Sequence, residues 1–207
     1  MPYANPGWPT RLPIALLLAA IAYFAVTALT LQWTRSDLDP IAMPLSAYLR
    51  GPGGGWLRAA YYLMATALAG LAWASYGATS PPLRSGLASA LFAIAAMALP
   101  LVAITVLYQG TPREALAALI HSLAAQTTFL CLAMGMLLLS SRWQRDPLMR
   151  EGGFGGLLLA WLAFVQMWSL ALARGLPQGL MQKLLIVLIL LWLGWAARQL
   201  GRQLRRP

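Results

Sequence analysis

Apolar residues occupy this chain in long uninterrupted blocks, and the charged positions mark where each block ends. No charged residue falls between Arg11 and Arg35, Arg58 and Arg84, Arg84 and Arg113, Glu114 and Arg142, or Glu151 and Arg174. A helix rises 1.5 Å per residue, so about 20 such residues cross a hydrocarbon core of about 30 Å. Five spans follow. A sixth block, GLMQKLLIVLILLWLGWAA (179–197), holds Lys183 one turn from its start, where the stem can carry the ammonium out to the interface. The pattern predicts an all-α membrane protein, a single six-helix transmembrane bundle over residues 1–207, with spans at about 12–33, 57–78, 86–108, 115–140, 153–173 and 179–197.

Composition agrees. Sixty per cent of residues are hydrophobic, 10% are charged, and the mean hydropathy is +0.67, whereas soluble proteins carry about 25% charged residues. The first apolar run exceeds the usual core of a secretory signal, and MPYANPGWPTR before it holds a single Arg, so an uncleaved first helix is expected. The single cysteine, Cys131, rules out an intramolecular disulfide and paired-cysteine metal motifs.

The net charge of +10 is scattered over short loops and the tail GRQLRRP, which points to anionic lipid headgroups as partners and not to nucleic acid. With six spans, Arg11, Arg84, Arg142, Arg145, Arg150, Arg198, Arg202, Arg205 and Arg206 share one side. Arg35, Arg50, Arg58, Arg113, Arg174 and Lys183 share the other. The positive-inside rule then places both termini in the cytoplasm, with the chain in a plasma or bacterial inner membrane.

The longest connection is residues 34–55, TRSDLDPIAMPLSAYLRGPGGG. Its apolar positions suit either a surface-lying linker or a lid over the bundle, and GPGGG permits a sharp return into the second span. Small residues recur through spans two to four and allow close helix approach, while Pro100 is expected to kink span three. Trp33, Trp56, Trp73, Trp143, Trp168 and Trp195 fall near helix ends, the usual place for an interfacial belt.

The polar residues are unevenly distributed. In this topology Asp37, Asp39, Ser46, Tyr48, His121, Gln126, Gln182 and Lys183 all lie toward the outer end, with Ser122, Gln178 and Glu114 beside them. They are the candidate ligand-binding residues of an outward-facing polar pocket. Each also has an ordinary structural role open to it: His121 as a helix-to-helix hydrogen bonder, Asp39-Pro40 as a turn, Lys183 as a snorkelling residue. An Asp37 or Asp39 pair with His121 offers acid–base chemistry, and Ser46 or Ser122 a nucleophile. One histidine excludes a bis-histidine haem and a histidine-rich metal site, phosphate-loop and nucleophile-elbow motifs are absent, and Met134 or Met136 beside His121 reads more simply as packing than as haem ligation. No cofactor or metal is expected.

Three clusters carry a resemblance: Asp39, Pro40, Leu45, Ser46, Tyr48 and Gly51 before the second span, Ile120, His121, Ala124, Ala125 and Phe129 in the fourth, and Gly179, Leu180, Gln182 and Lys183 opening the sixth. Together they resemble the six-helix membrane proteins grouped as domain of unknown function 998. The residue after Ser46, an acid or amide in the family pattern, is Ala47 here. The resemblance implies the six-helix fold and the shared polar end, and no activity.

Four functions compete. The expected one is a membrane protein that binds a lipid or other amphiphile in an outward pocket, as an accessory or sensing component. The alternatives are a small transporter, which at this size needs a homo-oligomer, an intramembrane lipid-modifying enzyme using Asp39 and His121, and a structural subunit of a larger membrane complex.

Overall fold

The computed structural model describes residues 11–173 and 175–204. Arg174, Arg205 and Arg206 of the charge bias, and the segment before Arg11 weighed as a signal, lie outside the described residues. Six helices form: α1 (Arg11–Thr34), α2 (Gly54–Ala78), α3 (Gly86–Thr105), α4 (Glu114–Arg145), α5 (Gly153–Leu172) and α6 (Gln178–Gln203). Short 3-10 turns lie at Leu45–Leu49, Pro81–Leu83 and Val106–Tyr108, and no strand occurs among the described residues. Five helices, all but α2, are long and apolar enough to cross a membrane. The chain is a multi-pass, all-α membrane protein. Helix α2 falls short in hydropathy because Ala, Gly, Tyr and Trp fill most of its length and Arg58 lies near its start.

Each helix packs on its chain neighbours and α6 returns to α1, so the six close a ring. Helix α1 shows how its sequence does this: Leu17, Ala20, Phe24, Ala28 and Leu31, three or four residues apart, form one buried stripe. Gly135 of α4 sits under the Phe92 ring of α3, where an added Cβ would come within 3.2 Å of it, so the small residue sets that helix spacing. Two helices overrun the expected spans, α4 to Arg145 and α6 to Gln203. At 32 residues α4 is about 48 Å long, well beyond a bilayer core. Its end is set by packing and by charge, which an apolar run does not mark.

Helix α3 continues through Pro100 to Thr105. The tryptophans divide. Trp33, Trp56, Trp73 and Trp168 are exposed, as belt residues should be. Trp143 is fully buried, which corrects the belt assignment for it, and Trp195 is half-buried. Trp143 Nε1 donates to Thr79 Oγ1 at 2.8 Å, and Trp192 Nε1 to Ser140 Oγ at 2.9 Å. With Phe92 these indoles form a chain of ring contacts, Phe92–Trp192 at 5.7 Å, Trp192–Trp195 at 5.7 Å and Trp143–Trp195 at 5.6 Å. The half of the ring away from residues 34–53 is therefore filled with aromatic side chains, and the buried indoles Trp143 and Trp192 have their N–H groups satisfied inside the protein.

The end of the bundle where α1 begins and α6 finishes is fastened by Asp146. Its side chain is buried and accepts hydrogen bonds from Ser80 N at 2.8 Å, Ser80 Oγ at 2.7 Å and Leu148 N at 3.0 Å, tying the α4–α5 loop to the α2–α3 turn. Gln199 and Gln203 of α6 donate to the Glu151 and Leu148 carbonyls, each at 2.7 Å, and close the same loop from the other side.

Candidate functional site

At the opposite end the 34–53 segment is a docked lid. Arg35 organises it: Nε and Nη2 each reach a carboxylate oxygen of Asp37 at 2.8 Å, while Nη1 donates to the carbonyls of Arg50 and Pro52. The guanidinium thus joins the end of α1 to the start of α2. Gly51 and Gly53, at φ of +68° and +75°, make the return that GPGGG anticipates. Asp39 Oδ1 accepts from Ile41 N at 2.7 Å and Ala42 N at 3.1 Å, an Asx turn.

The lid is stitched to the start of α6. Leu180 N donates to Ile41 O at 2.8 Å, Gln182 Oε1 accepts from Leu45 N at 2.8 Å, and Lys183 Nζ donates to Pro40 O. Lys183 Nζ also stands 5.2 Å from the ring centre of Tyr48, which is fully buried. Gly179 permits this contact, since a Cβ there would lie 2.4 Å from the Met43 carbonyl oxygen.

The Arg35 hydrogen bonds hold the Asp37 carboxyl below its ordinary value, and the Ile41 and Ala42 amides do the same for Asp39. A carboxyl depressed in the folded state lends stability above its unfolded value of about 3.9, and that stability is lost as the pH falls through the lower folded value. Amide protection over residues 38–49, measured by hydrogen exchange and corrected for intrinsic rates, is therefore expected to be flat from neutral pH to about 4 and to fall below it. Protection that rises on acidification contradicts this role.

Beneath the lid the ring encloses a cavity of about 440 Å³, within the range of small-molecule sites. Its walls differ along the bundle axis. Near the lid stand Ser46, His121, Ser122, Gln126, Gln178 and Gln182, and deeper down the wall is mainly apolar, with Leu68, Leu99, Leu132, Ile189 and Leu193, beside Tyr61 and Thr128, whose hydroxyl is spent on the Ala124 carbonyl. From His121 to Leu132, and again from Gln182 to Leu193, the lining runs eleven residues down a helix, a depth of about 16 Å. Phe92 and Trp192 pack against each other in the filled half of the ring. Ser122, Gln126 and Gln178 are exposed as well as lining, so the cavity opens beside α4 and the start of α6, where Leu170 of α5 also lines it.

The polar wall is uncharged and only partly satisfied. Thr105 Oγ1 is 2.7 Å from Leu101 O and 3.1 Å from His121 Nδ1. The threonine hydroxyl and the ring nitrogen thus share a hydrogen bond that ties α3 to α4 beside the cavity. Gln126 Nε2 donates to Ser122 Oγ at 3.1 Å, which leaves its carbonyl oxygen unused among the described residues. Gln182, with its carbonyl spent on Leu45 N, keeps its amide hydrogens. Donors and acceptors thus face one small volume.

Of the eight candidates, Ser46, His121, Gln126 and Gln182 line the cavity, while Asp37, Asp39, Tyr48 and Lys183 build the lid above it. His121 forms no ion pair with Asp37 or Asp39, whose oxygens are engaged locally by Arg35 and by the turn amides. Neither Ser46 nor Ser122 shares a hydrogen bond with His121. Sequence reasoning missed the apolar wall, because a cavity-facing Leu or Ile reads the same as a lipid-facing one. Ser122 and Gln178 were legible as polar residues at the right end.

Residues 17–199 match the family model described as "Protein of unknown function (DUF998)". The chain belongs to the DUF998 family. No curated protein and no solved structure matches it. The DUF998 match spans every helix and includes the lid, the cavity wall and the Asp146 loop.

Proposed function

We propose that this DUF998 protein binds a membrane amphiphile, a lipid or lipid-like molecule whose uncharged polar head lies under the lid and whose apolar part runs down toward Leu193. The observation that carries this is the one-sided cavity, neutral and hydrogen-bonding near the lid and hydrocarbon-like below. The exposed pair Ser122 and Gln126 lies eight to twelve residues into α4, about 12–18 Å along it, a depth at which bare polar groups facing lipid are costly. A ligand head lying beside them offsets that cost. The separation of His121 from both aspartates favours binding over acid–base catalysis.

The test is retention. Protein extracted gently from its membranes should carry, in native mass spectrometry, a bound amphiphile whose retention depends on this cavity. Ala125→Trp, which fills the cavity from α4, should lower retention at least about ten-fold at unchanged helix content, by analogy with the cost of overpacking. Equal retention by parent and variant sinks the reading.

In this account α2 also crosses, which gives six spans with both chain ends at the cytoplasmic side of the inner membrane. Its supports are the closed ring and the arginine-rich end. On a Cys131→Ser background, a cysteine at Gln203 should be silent to an impermeant reagent applied outside, and labelling there reverses the orientation.

A further inference from the structure

The end of the bundle opposite the lid carries a second, different concavity. Two adjoining cavities of about 390 and 450 Å³ open along the seam between α1 and α6, sharing Ile14, Leu18 and Gly201. This seam is the most loosely packed of the six in the ring.

Both walls have one sequence pattern. On α1, Arg11, Ile14, Ala15 and Leu18 fall three, four and seven residues from the first, hence on one face. On α6, Gly194, Ala197, Arg198 and Gly201 repeat that spacing. A Cβ added at Gly194 or Gly201 would meet nothing within 4 Å, so these glycines leave space open that no neighbouring side chain occupies. The floor is apolar.

The rim is cationic. Arg11, Arg198 and Arg202 all line the cavities, and no carboxylate does. Arg202 is held in place by Glu151 O at 3.0 Å and Gln199 Oε1 at 3.2 Å. Arg11 and Arg198 are exposed and have no hydrogen-bond or ion-pair partner among the described residues. An apolar groove a few turns long that ends in guanidinium groups complements an acyl chain ending in a phosphodiester. Basic pockets between spanning helices bind anionic headgroups in this manner.

We infer that the α1–α6 groove is a binding site for an anionic phospholipid, its phosphate between Arg11, Arg198 and Arg202 and one chain along Leu18 and Gly194. The site rests on the protein's residence in a membrane and is independent of the cavity under the lid. Its occupant differs from that cavity's in one chemical respect, the negative charge.

The test uses the full chain in detergent with phosphatidylglycerol and phosphatidylcholine of matched chains, and native mass spectrometry reads which lipid stays bound. The parent should prefer phosphatidylglycerol. Arg11→Gln and Arg198→Gln should each cut that preference about five-fold, the size expected per basic residue, while Arg198→Lys keeps most of it. Gly201→Leu, or Gly194→Leu if the first folds poorly, should lower phosphatidylglycerol retention with every charge in place. Ala125→Trp should leave the preference unchanged, which separates the two sites. Equal retention of both lipids by the parent overturns the proposal. A parent-like preference in the leucine variants overturns it too, because a charged rim alone is then enough. Phosphatidylglycerol retention that rises when residues 1–10 are removed assigns the groove to the chain's own N-terminal segment, and release of lipid on dimerisation assigns it to a second copy.

Discussion

Asp146→Ala is expected to destabilise the protein by about 3–5 kcal/mol, because it removes the acceptor of three hydrogen bonds in a fully buried place. The half-buried Ser80 N–H and Leu148 N–H then lose their acceptor, and each such loss costs about 1–3 kcal/mol. The Ser80 hydroxyl can turn elsewhere. Asp146→Asn keeps one oxygen and should cost less than half as much. Thermal unfolding followed by circular dichroism in one detergent orders the three proteins, and an Asp146→Ala variant within about 1 kcal/mol of the parent removes the residue from its structural role.

Gly179→Ala is expected to undo the lid without harming the bundle. The new Cβ would lie 2.4 Å from the Met43 carbonyl oxygen and 2.6 Å from its carbon, and backbone on both sides cannot turn away as a side chain can. Helix and lid must separate, which strains the bonds from Leu180 N to Ile41 O and from Leu45 N to Gln182 Oε1. Overpacking of this kind costs about 1–3 kcal/mol, so hydrogen exchange over residues 38–49 should speed up roughly five- to a hundred-fold. Gly77→Ala, where a Cβ meets nothing within 4 Å, is the matched control. A Gly179→Ala lid that exchanges at the parent rate contradicts the docking geometry.

The two ends of the bundle differed in how far the sequence disclosed them. Helix positions were legible because charges bracket apolar runs, and the return at GPGGG because glycines at Gly51 and Gly53 take a left-handed backbone. The polar end was legible because Ser46, His121, Gln126 and Gln182 interrupt runs that lipid would otherwise keep apolar. What was not legible depended on partners distant in the chain. Asp37 and Asp39 looked like pocket residues, yet Arg35 two positions away and the Ile41 and Ala42 amides occupy them. Nothing in the sequence singles out Asp146, and only the fold brings Ser80 to it. Trp143 resembled a belt residue, but inside the ring its N–H finds Thr79 Oγ1.

The aromatic filling gives the cavity its direction. A passage open at both ends would suit transport, whereas Phe92, Trp192, Trp195 and Trp143 occupy the inner half of the ring in this conformation. A closed floor and a docked cover fit the proposed binding role better than transport, and the opening beside α4 and the start of α6 would give such a ligand a route from the surrounding lipid.

The most direct measurement is an electron cryo-microscopy map of the protein, bound to a rigid antibody fragment and carried in nanodiscs with its source lipids. The account predicts one elongated density under the lid, with its head within hydrogen-bond reach of Gln126 and Gln182 and its tail reaching Leu193. A map that resolves those side chains and shows a cavity holding only separate water-sized peaks contradicts it.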